Sequence, residues 1–201
     1  MSRIHSTAEV AISAQIGDGV SIWQFAQICE NTILGANVTI GRGVYLGNGV
    51  QIGANSKIQN YAMVYEPSIL EEGVFIGPGV ILTNDKHPRS INPDRTKKNS
   101  SDWNLAKVTI REGASIGAGS VCVAPIEIGA WAFVAAGSIV TKDVPSFALV
   151  AGAPARKICW VGKAGIPLID NGFGHFSCPK TGGLYFEHNE KTLIEMDSPS
   201  L

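Results

Sequence analysis

Every sixth residue from Ile4 to Leu82 is aliphatic: Ile4, Val10, Ile16, Ile22, Ile28, Leu34, Ile40, Leu46, Ile52, Ile58, Val64, Leu70, Ile76 and Leu82. Four positions on, each unit carries a small residue or Val: Ala8, Ala14, Val20, Ala26, Thr32, Val38, Val44, Val50, Ser56, Ala62, Ser68, Val74 and Val80. The register breaks and restarts in a new phase at Ile110, Ile116, Cys122, Ile128, Val134 and Val140. There the small partners are Ala114, Ser120, Ala132 and Ser138, with Ile126 the exception. A period of six fits neither a helix, at 3.6, nor the plain alternation of a long strand. It predicts short strands joined by tight turns. The aliphatic residue points inward, the small one sits beside a corner, and Gly or Asn supplies the left-handed turn conformation. Three such strands close one triangular coil. The two runs therefore give between six and seven coils, stacked at the ~4.8 Å spacing of a parallel sheet.

The composition follows from this geometry. Glycine is 23 of 201 residues, as the corners require. Aromatics are only 7%, because a narrow interior takes branched aliphatics more readily than rings. Charged residues are 16%, against a usual ~25%. No G-X-Y period runs through the chain, so it is not collagen. No run of about 18 apolar residues predicts a membrane-spanning helix. The N-terminal MSRIHSTAEV lacks the apolar core of a signal peptide. A net charge of −1 argues against general nucleic-acid binding. The four cysteines (Cys29, Cys122, Cys159, Cys178) form no CxxC. They predict reduced, structural thiols in the cytoplasm rather than a zinc site or a disulfide framework.

Between the two runs lies TNDKHPRSINPDRTKKNSSDWNLAKVT. Residues 83–107 hold six Lys/Arg and three Asp, a net +3 in a chain whose remainder sums to −4. A loop this long inside a compact domain is usually functional or disordered. Two readings stand: a solvated polar excursion, or an anion-binding arm beside a neighbouring subunit.

Residues 18 apart stack on the same corner. One corner collects Glu30, Asn48, Glu66 and Asn84; a second collects Gln24, Arg42 and Asn60. Trp23 and Gln59, and separately Tyr65 and Thr83, stand one position past the inward aliphatic. Most units carry Gly or small residues at these places, so the departures mark candidate substrate contacts. The alternative is that Asn and Glu here merely serve turns. Of the four histidines (His5, His87, His175, His188), only His87 lies in the loop, as a candidate general base or a plain surface residue.

With these residues in view, stretch 4–144 resembles the hexapeptide-repeat acyltransferases. The resemblance implies an all-β, single-stranded left-handed parallel β-helix with a protruding loop and a short C-terminal extension. Residues 1–144 are then the acyltransferase domain, with its loop at 83–107. Residues 145–201 form an extension, irregular or with a short helix or strand.

A narrower likeness rests on I-W-Q-F (22–25), K-I-Q-N (57–60), V-Y-E (64–66), G-P-G-V-I-L-T-N-D (77–85), P-R (88–89), T-K-D-V-P (141–145) and G-A-P-A-R (152–156). These resemble the N-acetyltransferases of nucleotide-linked amino sugars. Gln24 stands where that group often has His, and the 166–201 tail lies outside the likeness.

The resemblance implies an acetyl-CoA-dependent transfer to a sugar amine in surface-polysaccharide biosynthesis. It implies a cytoplasmic homotrimer that needs no metal, no nucleic acid and no membrane insertion. Asn84 would hold the amine, and His87 would act if a base is used. Gln24, Gln59, Asn60, Tyr65, Glu66, Lys86 and Arg89 would meet the substrate. Gly117, Ala118, Ala135 and Ala136 would let pantetheine approach the backbone. Lys142, Arg156 and Lys157 would meet the phosphates, although Arg156 and Lys157 also read as an ordinary helix-start surface. An amine is a nucleophile when neutral, so alignment and backbone N–H stabilisation of the oxyanion can suffice. Other acyl acceptors, or a catalytically silent scaffold, are the competing readings; a scaffold would need neither the loop nor the TND-PR motif.

Overall fold

A computed structural model describes residues 2–190 and 192–196. All described regular structure is β; among the described residues no helix occurs, so none there is long and apolar enough to cross a membrane. The hexapeptide units form two- and three-residue strands on three parallel sheets. Consecutive units fall on successive faces, so each strand pairs with the strand 18 residues away: Ile22 lies beside Ile40, Leu46 beside Val64 and Ile52 beside Leu70.

The first face carries eight parallel rungs, from Arg3–Ile4 to Ala148–Gly152. The second carries seven, from Glu9–Val10 to Ile139–Val140. The third carries six, from Gln15–Ile16 to Ile126–Ile128, extended by a parallel bridge from Ile128 to Val144. The solenoid thus exceeds the six to seven coils implied by the repeat count. Its last rungs, at Val144 and Ala148–Gly152, lie beyond the last in-phase aliphatic. The stack therefore runs past residue 144, where the sequence suggests a change of structure.

From Ile22 to Val140 the members of the inward column are buried, as are the corner residues such as Val20, Ala62 and Ser120. Each fully buried aliphatic contributes about 1.5–3 kcal/mol. The first coil differs because no coil covers it among the described residues: Ile4 is 48% exposed, and Val10 and Ile16 are half-buried.

Glycines serve two separate needs. At Gly117, directly after the inward Ile116, a Cβ would overlap the backbone nitrogen of Ala136 in the next coil. Two residues on, the chain turns left-handed, with φ 67° at Gly119. The same turn position is taken by Phe25, Asn37, Tyr61 and Trp131 at φ 58–60°. A left-handed non-glycine residue costs roughly 1 kcal/mol or more.

The excursion enters without disturbing the stack. Leu70 pairs with Ile110, and Leu82 with Cys122, each 40 residues on instead of 18. Its neck closes where the Ala106 N–H donates to the Asn84 carbonyl at 2.8 Å. Beyond Gly152 the chain turns back. Ala155–Trp160 pairs antiparallel with Ala148–Gly152, and Ile169–Gly172, His175–Ser177, Leu184–Asn189 and Thr192–Glu195 form a separate antiparallel sheet. Tyr185 of that sheet is buried against Phe147, ring centroids 5.4 Å apart. The extension is thus strand throughout its regular parts. Residues 197–201, and Lys191, lie outside the described residues.

Candidate active site

The three faces meet at three edges, and the edge a residue occupies follows from its place after the inward aliphatic. Residues following a first-face strand lie on the first edge; those following a second-face strand lie on the second.

The second edge carries Cys29 and Glu30, Gly47 and Asn48, Tyr65 and Glu66, then Thr83 and Asn84 on successive coils. Tyr45 and Tyr65 touch across neighbouring coils, centroids 5.2 Å apart and planes tilted by 50°. Burial pushes the Tyr45 phenol up to about 12, helped by its hydrogen bond with the Cys29 thiol and by the charge of Glu66. Burial likewise raises the Cys29 thiol. Both groups are therefore neutral, uncharged neighbours of Glu66.

The Glu66 carboxylate reaches back over Gly47, where any Cβ would overlap its Oε2. That oxygen is buried and has no hydrogen-bond partner among the described residues. A buried carboxylate oxygen without a donor is costly, so Glu66 is an unsatisfied acceptor beside the second edge. On the next coil Thr83 is committed to structure, its Oγ1 accepting the Ala124 N–H at 3.0 Å. The Asn84 carbonyl closes the loop neck, and its side-chain amide has no partner among the described residues.

Past Asn84 the excursion folds over a cavity of about 500 Å³, which Lys86 and His87 help to line. The His87 backbone N–H donates to Asp85 Oδ1 at 2.8 Å, and its side chain is exposed. Arg89 is exposed, and its guanidinium donates to the neighbouring Pro88 carbonyl at 3.0 Å. The loop is knitted by its own side chains: Asp94 accepts from Thr96, and Asn92 and Asn99 donate to Asp102.

Gln24, Gln59 and Asn60 lie on the first edge. They line a groove of about 420 Å³ with Trp23 and Arg42. Asn60 Oδ1 accepts the Arg42 backbone N–H at 2.9 Å, so that amide serves coil stacking as well. Gly117, Ala118, Ala135 and Ala136 follow further along this same edge. Hence the residues singled out from sequence fall on two edges flanking the second face, and one chain does not gather them into a single pocket.

Lys142, Arg156 and Lys157 do converge, around a cavity of about 1090 Å³ at the end of the solenoid. Its lining includes the inward valines Val140, Val144 and Val150 of the last coil. The N–H groups of the strands and of the residues just after them donate toward the following coil, as from Gln27 to Val44 and from Ala135 to Val150, whereas those at the left-handed turns donate back, as from Gly43 to Gln24. At the end of the second face the Ile139 and Thr141 N–H groups have no acceptor among the described residues. These groups flank Val140 and Lys142 of the cavity lining and add a positive end beside its cationic side chains.

The acids there are already engaged. Arg111 holds Glu127 at 2.6 Å, and Asp143 accepts the Glu127 N–H at 2.8 Å. Lys157 is engaged too: its ammonium lies over the Trp160 ring and donates to the Glu190 carbonyl at 3.0 Å. Burial lowers its pKa against the pull of Glu187. Lys142 and Arg156 make no ion pair among the described residues. Arg156 and Lys157 lie in a strand, not at a helix start. No group of three or more His, Cys, Asp or Glu suited to a metal occurs among the described residues.

Tyr45 and Cys29 were not singled out by the repeat analysis. The available signal was Tyr45 itself, an aromatic at an outward strand position beside the polar corner.

Comparison with known proteins places these features in context. The bacterial transferase hexapeptide (six repeats) pattern matches residues 13–48 and 49–84, and the hexapeptide repeat of succinyl-transferase matches 107–142. The bifunctional protein GlmU of Shouchella clausii is 36% identical over 146 residues, covering 73% of this chain and 28% of that protein. Serine acetyltransferase 2 of Arabidopsis thaliana is 35% identical over 153 residues, covering 74% of this chain and 36% of that protein. The chain thus spans about a third of the length of these curated relatives. Among solved structures, a hexapeptide-repeat-containing acetyltransferase of Vibrio cholerae, complexed with acetyl coenzyme A, aligns with a TM-score of 0.56 at 24% identity. That alignment covers 66% of this chain and 72% of the other, and the likeness is one of fold.

Proposed function

The chain belongs to the hexapeptide-repeat transferase family, whose patterns match three blocks of 36 residues, more than half of its length, and from that premise we propose that it is an acetyl-CoA-dependent N-acetyltransferase. Its acceptor is the amino group of a nucleotide-linked amino sugar, in surface-polysaccharide assembly in the cytoplasm. The observation that carries this reading is the buried, unpartnered Glu66 Oε2 one coil from the free side-chain amide of Asn84. An amine offers N–H donors to both, and Glu66 accepts from it while leaving its lone pair free to attack. The Tyr45 and Tyr65 rings wall this position.

The transfer forms the C–N bond of an amide and breaks the thioester C–S bond. The amine proton leaves to the departing thiolate, so no base of high strength is required. Asn84 and Glu66 orient the nitrogen, and such positioning supplies several kcal/mol of the barrier reduction. Lys142 and Arg156, with the free N–H groups at the solenoid end, suit the phosphates of coenzyme A. The small residues at Gly117, Ala118, Ala135 and Ala136 suit the approach of pantetheine to backbone.

The division of site residues over two edges favours a homotrimer. On the outer surface of the second face, Tyr45, Met63, Ile81, Val121 and Ile139 form a largely apolar column. A second copy packed there would bring the first edge of one chain toward the second edge of another. Light scattering should then give three times 21.2 kDa; a monomer would break this part of the reading.

The decisive measurement is thiol release from acetyl-CoA with a panel of UDP-, dTDP- and GDP-linked amino sugars. One amine should be acetylated with stoichiometric release of coenzyme A. Absence of turnover with every amine, together with no binding of coenzyme A by calorimetry, would overturn the proposal.

A further inference from the structure

The loop cavity contains groups that acetyl transfer itself does not require. Lys86, Lys98 and Lys107 stand around it with the half-buried Trp103. None of the three ammonium groups forms an ion pair among the described residues. The cavity's two carboxylates, by contrast, are occupied. Asp85 Oδ1 accepts the His87 N–H at 2.8 Å. Asp102 Oδ2 accepts the Asn99 N–H at 2.8 Å and the Asn92 side-chain amide at 3.2 Å. Those bonds hold the Asp102 carboxyl below its usual range, the Asn99 N–H contributing most. The acids thus fix the loop's shape while the cations stay available. Location matters as well: the lining starts at Asp85, one residue beyond Asn84, and the neck bond from Ala106 returns the far end of the loop to Asn84.

We propose that this cavity holds the nucleoside diphosphate half of the acceptor, with the base against the Trp103 ring and the diphosphate among Lys86, Lys98 and Lys107. The inference rests on the reading of the chain as an enzyme of nucleotide-linked amino sugars, and it assigns the nucleotide a place beside the amine. A flat base stacks on an aromatic ring whatever its sequence of donors and acceptors. A diphosphate is matched by several ammonium groups acting as point charges. Coenzyme A also carries a nucleoside diphosphate. The loop cavity adjoins Asn84, however, and the cations at the solenoid end offer coenzyme A a separate place.

Calorimetry with UDP, dTDP and GDP, each without acetyl-CoA, tests the assignment on the intact chain. At least one should bind, and coenzyme A should not displace it. Trp103→Ala should weaken that binding tenfold or more, and Lys98→Gln and Lys107→Gln threefold or more each. Trp103→Phe keeps a ring and should stay within threefold of the native protein, while losing the nucleotide-dependent tryptophan quenching. Circular dichroism of each variant should match the native spectrum. Failure of all three nucleotides to bind, a change under twofold in Trp103→Ala, or competitive displacement by coenzyme A would each overturn the proposal. The two readings fail separately. Nucleotide binding lost in Trp103→Ala, without acetyl transfer to any sugar, supports the cavity and sinks the transferase. Undiminished acetylation of a free amino sugar, with no nucleotide bound, does the reverse.

Discussion

The stacked coils and the excursion at 83–107 are built from opposite materials. In the coils, side chains alternate between a sealed interior and the outside, and the backbone is paired with the coils on either side. Leu46, Ile76 and Ile116 are fully buried, and a polar substitution there has no partner to meet. In the excursion almost every residue is exposed or half-buried, and Asp, Asn and Thr side chains replace the missing coil-to-coil bonds. Commitment to packing is what separates them. The repeat leaves a coil few positions at which chemistry can be placed, and these lie on the edges. Apart from Thr83 and Ala106 at its neck, the excursion is not tied to the core, so its cations are open to ligands.

The sharpest break of this contrast is a pair of substitutions read by thermal denaturation. Leu46→Ala removes a fully buried side chain from a narrow prism that cannot collapse around the void. It should lower stability by about 3 kcal/mol, or roughly 6–12 °C for a chain of this size. Asn92→Ala removes two exposed loop hydrogen bonds and should move the midpoint by less than about 2 °C. Equal losses would mean that the excursion is part of the core.

The inward column was legible from sequence because burial imposes a strict period, and every member from Ile22 to Val140 is indeed buried. Ile4 escaped the rule for a reason that no period can encode: among the described residues no coil lies above it. The roles of the glycines were half legible. Those next to the aliphatic, such as Gly47, are required by close backbone approach. The left-handed turn falls two residues later, where Tyr61 and Trp131 also stand. Stacking at 18 residues placed Glu66 and Asn84 on one corner and Gln24 and Asn60 on another. It did not say that the second face separates the two corners. The strands at 169–195 were not legible, since only Tyr185 and Leu193 in them are buried and two residues set no in-out pattern.

The second comparison lies within the excursion's neighbourhood. Asn84→Ala should cut acetyl transfer about a hundredfold while leaving the fold intact, the scale expected when a positioning contact to the reacting atom is lost. His87→Ala should change it by less than about threefold, because an amine needs no strong base. Loss of activity in His87→Ala with unchanged substrate binding would replace the positioning mechanism by general base catalysis.

Gly47→Ala tests the edge from the coil side. The added Cβ would occupy the place of Glu66 Oε2 and press on the Glu66 backbone nitrogen, so the carboxylate must move and the coil must give slightly. Activity should fall about tenfold, equivalent to ~1.4 kcal/mol of barrier. Gly49→Ala offers the control, because its Cβ would meet no atom within 4 Å and only the left-handed turn (φ 69°) is penalised. It should lower the melting midpoint and leave the rate per folded molecule unchanged. If both variants lose activity alike, Glu66 is not seated where the geometry puts it.

The smallest effect concerns how the outer surface of the coils behaves in acid. Arg111 joins Glu71 at 2.7 Å and Glu127 at 2.6 Å on neighbouring coils of the third face. Its hydrogen bond, with help from the Glu112 N–H, holds the Glu71 carboxyl below its ordinary value. A depressed carboxyl stabilises the fold at pH values above its unfolded pKa, about 4.3. That contribution is lost as pH falls through the lower, folded value. Arg111→Met should therefore show a melting gap of roughly 2 °C to the native protein between pH 5 and 8, because exposed pairs are well screened. The gap should close as pH falls through that lower, folded value and Glu71 takes up its proton in both proteins. A gap that persists at pH 3 would mean that the arginine acts through packing of its stem rather than through charge. The coils' outer surface would then follow the same packing rule as their interior.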